Sequence, residues 1–469
     1  MLKTQLSEYF AAHRQEMIDD ICSLVRIQSD RQPPLAGKPY GEGPAKALDK
    51  ALTIAADMGF ITKNHDYYVG TIDFQTGDTE LDILAHLDVV PVGDGWTVTA
   101  PFEPKLVGTK LYGRGTSDDK GPAVAALYAM KALKDLGISL KKNVRLIVGC
   151  DEECGSSDIA HYYSYEKEAP CTFSPDAEFP VINTEKGSFQ GRYSAEFSED
   201  TALPRVVSVE AGTKINVVPD KCVTVLEGMT AAECAPYLKE ATAATGAAFT
   251  AADIDGKTEI ICKGLSAHAS TPEKGNNAIT ATLTLLAMLP IADSEGYRSL
   301  LAMERLFPHG DGLGKAAGIA MCDEISGNLT NTLDILHYDV TSLSAATDCR
   351  ASLCATDENL TEVLRKKTDD LGIKLDESCH LHAPHHVPAD SSFVQTLLKV
   401  YEQYTGQKGK PIAIGGGTYA HHLQNGVAFG CTFPWSEDNH MHGDDEFVEM
   451  DELLLCAQMF AQVIADICG

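Results

Sequence analysis

The sequence is short of three things, and each absence narrows the field. It has no unbroken apolar run of about 18 residues, the length a membrane-spanning helix needs. It is poor in positive charge: 38 Lys and Arg face 67 Asp and Glu, for a formal net charge of −29 over 469 residues. Such a surface repels phosphate, which argues against nucleic acid or an anionic membrane as a partner. It also lacks a cysteine framework. The 14 cysteines are scattered, which fits free thiols in a reducing compartment. The most closely spaced pair, "CDEEC" (Cys150 to Cys154), is wider than the spacing of a zinc knuckle and is not repeated, so it reads as packing around the glutamates between. The N-terminal stretch "MLKTQLSEYFAAHRQEMIDDICSLVRIQSD" carries apolar residues at helical spacing among charges, unlike a signal peptide. The expectation is a cytoplasmic protein.

What is present is the balance of a globular chain, 44% hydrophobic and 22% charged, and a length that suggests more than one core. Up to about residue 187, helical and strand patterns alternate. Residues 3–27 and 44–58 read as helices, "TIDFQTG" and "ELDILAHLD" as neighbouring strands. "SDDKGPAVAALYAMKALKDLG" reads as a helix with Pro122 near its start and Gly137 at its end, and "KNVRLIVGCDEE" as a strand ending in acid. This predicts an α/β domain with a mostly parallel sheet flanked by helices, whose ligands collect at the carboxyl ends of strands. From 188 to 382 the texture becomes a looser α+β mixture, in which strand-strand-helix groupings occur twice without a residue-level repeat. From 383 a helix, a strand, "IGGGTYAHHL" and a last helix return to the first domain. The expected organisation is a catalytic domain of 1–187 and 383–469 with an inserted α+β domain, a doubled unit, at 188–382.

Five polar sites fall at strand or loop ends: His86 with Asp88, Asp118 with Asp119, Glu152 with Glu153, Asp176, and His442. Singly each has a bland explanation. A histidine is more often a satisfied core or surface residue than a ligand, and Asp118 and Asp119 could simply cap the helix that follows. Together they are chemically complete. A two-metal hydrolytic site needs a bridging carboxylate, an imidazole and a carboxylate for each metal, and a free carboxylate as base. His86 and His442 supply the imidazoles, Asp118 can bridge, Glu153 and Asp176 can complete the shells, and Glu152 is left as base. Asp88, on the same side of its strand as His86, can hold the imidazole from behind. Imidazole with carboxylate suits zinc, cobalt or manganese.

The blocks "HLD", "GRGTSDDKG", "DEECGS", "SPDAEFPV" and "MHGDDE", in this order, resemble the di-zinc metallopeptidase family of carnosinases, aminoacylases, desuccinylases and glutamate carboxypeptidases. The resemblance spans essentially the whole chain. It implies two divalent metal ions per chain, zinc first with manganese or cobalt as possibilities. His86 and Asp176 would bind one, Glu153 and His442 the other, and Asp118 would bridge, with a cis peptide to Asp119. His442 is preferred to His440 because the family's ligand stands four residues before a glutamate, here Glu446. Glu152 would be the general base for a water held between the metals, and Asp88 the orienting acid. "GLSAHASTPEKGNNA" implies His268 as an oxyanion donor, joined by Asn216 of "KINVVPDKC". Arg350 of "TDCRASL" and the turn Gly415, Gly416, Gly417 and Thr418 would grip a substrate carboxylate, and Asp119 would accept a free amine. His380, His382, His385 and His386 of "CHLHAPHH" have no role in the pattern and read as an exposed linker. The implied activity is hydrolysis of a small peptide, a dipeptide with a free C-terminal carboxylate. The alternatives are an N-acyl amino acid amidohydrolase and a non-catalytic peptide-binding relative, although the latter would lack a ligand or the base. The length of the inserted domain implies a monomer whose doubled lid mimics a dimer, with His268 acting in cis.

Overall fold

The structure is a computed structural model, and it describes residues 2–199 and 201–469. The chain divides into two compact units, residues 1–184 with 386–469, and residues 185–385.

The first unit is built on a nine-stranded sheet. Its main path runs Ile61–His65, Val69–Asp73, Asn143–Gly149, Thr79–His86, Cys171–Ser174, Gly426–Ala428, Val181–Glu185 and His385–His386. The middle is parallel: Thr79–His86 pairs in parallel with both Asn143–Gly149 and Cys171–Ser174. The strands expected to be neighbours, Val69–Asp73 and Thr79–His86, are separated by Asn143–Gly149, antiparallel to the first and parallel to the second. From Leu81 onward Thr79–His86 is buried on both faces, Asp82 and His86 included, and such a strand belongs in a sheet's interior.

Alternation along this strand settles which face meets what. Leu81, Ile83 and Ala85 join the main core with the helices Lys120–Asp135 and Met450–Cys468. Leu84 points the other way, into a smaller cluster with Ile147, Ile159, Tyr162, Tyr419 and Leu423. His86 shares the Leu84 face, with its ring edge-on to Tyr419 at 6.2 Å. The N-terminal helical stretch is two helices, Leu2–Ala12 and Arg14–Val25, and the next helix is Glu42–Asp57. All 14 cysteines are free thiols; Cys150 packs in the core while Cys154 is exposed.

The inserted unit is built on an eight-stranded sheet, which falls into two matching halves. Arg205–Ala211, Lys221–Glu227, Lys257–Lys263 and Ala248–Ile254 form one, with helix Ala231–Thr245 between the second and the last. Thr330–Tyr338, Ser342–Ala351, Gly187–Glu196 and Lys374–Leu375 form the other, with helix Thr361–Leu371 in the corresponding place. The halves meet where Arg205–Ala211 pairs with Thr330–Tyr338. Helices Ala278–Met288 and Glu295–Leu306 cover the sheet, and the Ser294 hydroxyl caps the second by accepting the Tyr297 amide. The "CHLHAPHH" segment is partly ordered into structure: His382 exchanges backbone hydrogen bonds with Ser188, and His386 contributes to the edge strand.

Gly212, just past the central strand of this unit, has φ +82°, and a Cβ there would lie 1.9 Å from the Asp334 carbonyl oxygen. Gly212→Ala is therefore expected to destabilise the inserted unit by about 2–4 kcal/mol, summing left-handed strain and a backbone clash. The two tryptophans, Trp96 and Trp435, both lie in the other unit. Urea unfolding followed by far-UV circular dichroism should show the loss, with tryptophan fluorescence as an internal reference that moves less.

Candidate metal centre

Three adjacent parallel strands deliver acidic and imidazole groups at their carboxyl ends. His86 closes Thr79–His86, Glu152 and Glu153 sit in the one-turn helix Glu152–Cys154 beyond Asn143–Gly149, and Asp176 follows Cys171–Ser174. Asp118 comes from the turn before helix Lys120–Asp135, and its peptide bond to Asp119 is cis. Asp119 occupies the N-cap position but makes no side-chain capping bond, so capping does not explain this acidic pair. His442 lies in the loop before strand Phe447–Glu449 at φ 62°, a left-handed conformation unusual for a residue with a Cβ.

These side chains form two groups that share one carboxylate. Oδ1 of Asp118 is 2.9 Å from Nε2 of His86, which is 3.6 Å from Oδ2 of Asp176. Oδ2 of Asp118 is 2.8 Å from Nε2 of His442, which is 3.2 Å from Oε1 of Glu153. Within each group the facing atoms lie within 4.8 Å of one another. His440 takes no part; its ring is 3.2 Å from the Asp444 carbonyl oxygen. Glu152 belongs to neither group.

The donor set fits divalent cations. Nε2 of His86, Oδ1 of Asp118 and Oε1 of Glu153 are buried without a hydrogen bond, a state polar atoms rarely hold unless something else engages them. The acid excess is equally telling. Burial, and after it the charges of Asp176, Glu153 and Asp118, hold the Glu152 carboxyl well above its ordinary range. Burial and then Asp118 push Asp176 up. Burial would depress His86, but Asp118, Asp176 and Asp88 outweigh it and hold the imidazole well above its ordinary value. Positive charge at this point relieves all of these, as bound cations do.

Asp88 does more than face an imidazole. It lies past the end of the strand, with Oδ1 3.4 Å from Nδ1 of His86; the nearer atom is its own carbonyl oxygen at 3.0 Å. Its carboxylate accepts the backbone amides of Glu152 at 3.2 Å and Glu153 at 3.1 Å, so it also sets the turn that carries both glutamates. Asp119 is fully buried and accepts the His86 amide on Oδ2 at 3.0 Å, while Oδ1 has no hydrogen bond. Gly415, Gly416 and Gly417 follow strand Pro411–Ile414, and the Thr418 hydroxyl accepts the Ala420 amide.

Two residues that sequence reasoning passed over tie this turn to the glutamates. Oδ2 of Asp158 accepts the amides of Cys150 at 2.6 Å and Asp151 at 2.9 Å and the Tyr419 hydroxyl at 2.5 Å. Burial, and next the charge of Asp88, raises Asp158 to about 7. No local pattern marks the partnership, because the two residues are 261 positions apart.

In the inserted unit, His268 pairs in register with Val217, and the Asn216 carbonyl, just before that strand, accepts the Ala269 amide, which brings Asn216 beside the His268 strand. Desolvation and then the charge of Arg350 lower the His268 pKa. Arg350 is held by Asp348 through two bonds, Nε to Oδ1 at 2.7 Å and Nη2 to Oδ2 at 2.8 Å.

His442 gives the site a pH dependence. Asp118 and Glu153 raise its pKa from 6.5 to about 10. A raised folded pKa stabilises the metal-free fold fully below 6.5 and loses that contribution as pH climbs through about 10. A metal ligand must be the neutral imidazole, so metal and proton compete. In chelator-treated protein, zinc uptake at pH 7 should release protons, and zinc affinity should rise between pH 7 and 9 while metal-free stability falls, as read by chelator competition and thermal unfolding.

The sequence model of Peptidase family M20/M25/M40 matches residues 83–466. The Bacillus subtilis (strain 168) protein YtjP is 36% identical over 460 residues, 97% of each chain. The Beta-Ala-Xaa dipeptidase of Lactobacillus delbrueckii subsp. lactis is 33% identical over 473 residues, 98% of this chain and 97% of its own. In fold, human carnosine dipeptidase 1 superposes with a TM-score of 0.61 at 14% identity, covering 100% of this chain and 99% of that one. The match covers the Asp118-centred groups and both units, and the chain belongs to Peptidase family M20/M25/M40.

Proposed function

We infer that the chain is a metallodipeptidase, a metal-dependent hydrolase of small peptides. The observation that carries the chemistry is the pair of ligand groups sharing Asp118, with Glu152 outside both. His86, Asp176 and one oxygen of Asp118 would hold one divalent cation, and Glu153, His442 and the other oxygen a second. Zinc suits these nitrogen and oxygen donors, as do manganese and cobalt. When bound, such cations polarise the scissile carbonyl and lower the pKa of a water between them.

The protein's own groups do the rest. Glu152 would take the proton of the attacking water and return it to the leaving amine. Asp88 fixes Glu152 through the main chain. His268 and Asn216 of the inserted unit would donate to the developing oxyanion. Arg350, preset by Asp348, and the Gly415–Thr418 turn would take the free C-terminal carboxylate, for which a planar guanidinium and backbone amides are suited. Asp119 would meet the free amine through its unpartnered oxygen. The beta-alanyl dipeptides named for the Lactobacillus relative are the first substrates to try.

The test is a panel of dipeptides, including β-Ala-His and other Xaa-His, against N-acyl amino acids. Metal-replete enzyme should hydrolyse the dipeptides and lose activity on chelation; a preference for the acyl amino acids would make it an amidohydrolase instead. Glu152→Gln should lower kcat by about 10²–10⁴-fold with metal content unchanged; full activity in this variant would remove Glu152 from the mechanism.

The two halves of the inserted sheet support reading it as a doubled unit that stands in for a pair of single ones. The protein is therefore expected to be an active monomer by gel filtration with light scattering, and an active dimer as the sole species would overturn this.

A further inference from the structure

Arg114 and Glu446 stand outside both ligand groups and are buried at 1% and 0% exposure. Nη1 of Arg114 donates to Oε2 of Glu446 at 2.6 Å. The other oxygen, Oε1, accepts three amides of one turn: Gly115 at 3.0 Å, Ser117 at 2.9 Å and Asp118 at 3.2 Å. Nη2 of Arg114 donates to the carbonyls of His442 at 3.3 Å and Gly443 at 3.0 Å. The arrangement is crossed. Glu446, on the His442 segment, grips the turn that presents Asp118; Arg114, on the Asp118 segment, grips the loop that presents His442.

The surroundings secure the cross. The Gly113 amide donates to the Glu446 carbonyl at 2.9 Å. The Trp96 ring lies 5.5 Å from the Arg114 guanidinium carbon. The loop bearing Trp96 is itself fastened to the His442 segment, by Gly95 to Asp444 at 3.2 Å and by Thr97 and Val98 to Asp445 at 2.8 and 2.9 Å. A buried ion pair kept for stability alone is a poor bargain, because apolar residues of the same volume usually serve as well. Here the main-chain partners of the two side chains all lie on the segments that carry Asp118 and His442, and His442 holds a left-handed backbone that its two-carbonyl anchor helps to impose.

We propose that Arg114 and Glu446 are positioning residues that set the separation of Asp118 from His442, and thereby the affinity of the Asp118–Glu153–His442 group for its cation. This rests on reading the two groups as metal sites. Glu446→Gln keeps the size of the side chain and the acceptor for the three amides, but turns an amide donor toward the guanidinium. Arg114→Lys keeps the charge but cannot span the carboxylate and both carbonyls.

The experiment titrates zinc into chelator-treated full-length protein against a chromophoric chelator, for wild type, Glu446→Gln, Arg114→Lys, Asp118→Asn and His442→Ala. Two zinc-binding events are expected in wild type. In Glu446→Gln one of them should weaken by about 10–100-fold and the other hold, with Arg114→Lys intermediate; cobalt spectra should likewise change for one ion only. Wild-type affinities in both variants, while His442→Ala loses one ion, would overturn the proposal. So would equal weakening of both ions that merely follows a lower unfolding temperature of the metal-free chain. If Asp118→Asn and His442→Ala leave both ions bound as in wild type, it is the metal-site reading that fails.

Discussion

One carboxylate faces two ways. Asp118 turns one oxygen to His86 and the other to His442, and everything around it serves to keep it there. The sheet brings His86, Glu152, Glu153 and Asp176 to the ends of adjacent strands because parallel strands finish at the same edge. The helix Lys120–Asp135 carries the turn of Asp118 into that edge, anchored by its buried apolar face. Without the shared carboxylate the site would be two separate acid–imidazole pairs of the kind that many surfaces carry. With it, two groups become one centre whose charges are mutually dependent.

The same logic explains why so many buried acids are tolerated nearby. Asp82 is met by Arg145 with two bonds of 2.8 Å, and Asp158 by two amides and a hydroxyl. Each is satisfied locally, as buried charges must be. The acids of the centre are not satisfied in this way, and the orphaned atoms of His86, Asp118 and Glu153 concentrate at one point. It is the convergence of unpartnered acid and imidazole atoms in two groups sharing Asp118, rather than the number of acids, that marks the centre.

Much of this was legible in the sequence, for a physical reason. Residues of the centre sit at strand ends, where an apolar run stops at a polar residue, and "ILAHLD" and "IVGCDEE" show that break plainly. What was not legible depends on partners distant in the chain. Strand order placed Asn143–Gly149 between two segments that read as neighbouring strands. Asp88 was read as an imidazole partner, since period two points both ways from Leu87, but its carboxylate also holds the amides of Glu152 and Glu153 from another strand's end. Glu446 entered only as a spacing mark for His442, and Arg114 not at all, because they are 332 positions apart and neither has a telling neighbour.

The insertion of residues 185–385 into the first unit has a consequence for how the protein is made. The inserted unit is continuous in sequence and can complete its sheet as soon as it has left the ribosome. The first unit cannot, because helix Met450–Cys468, strand Gly426–Ala428 and His442 are all synthesised afterwards. Its early half must wait, with a half-covered sheet and the carboxylates of Asp118, Glu152, Glu153 and Asp176 gathered on an unfinished edge, until a stretch far along the chain arrives to close it. The Asp118–Glu153–His442 group is thus complete only when synthesis is nearly done.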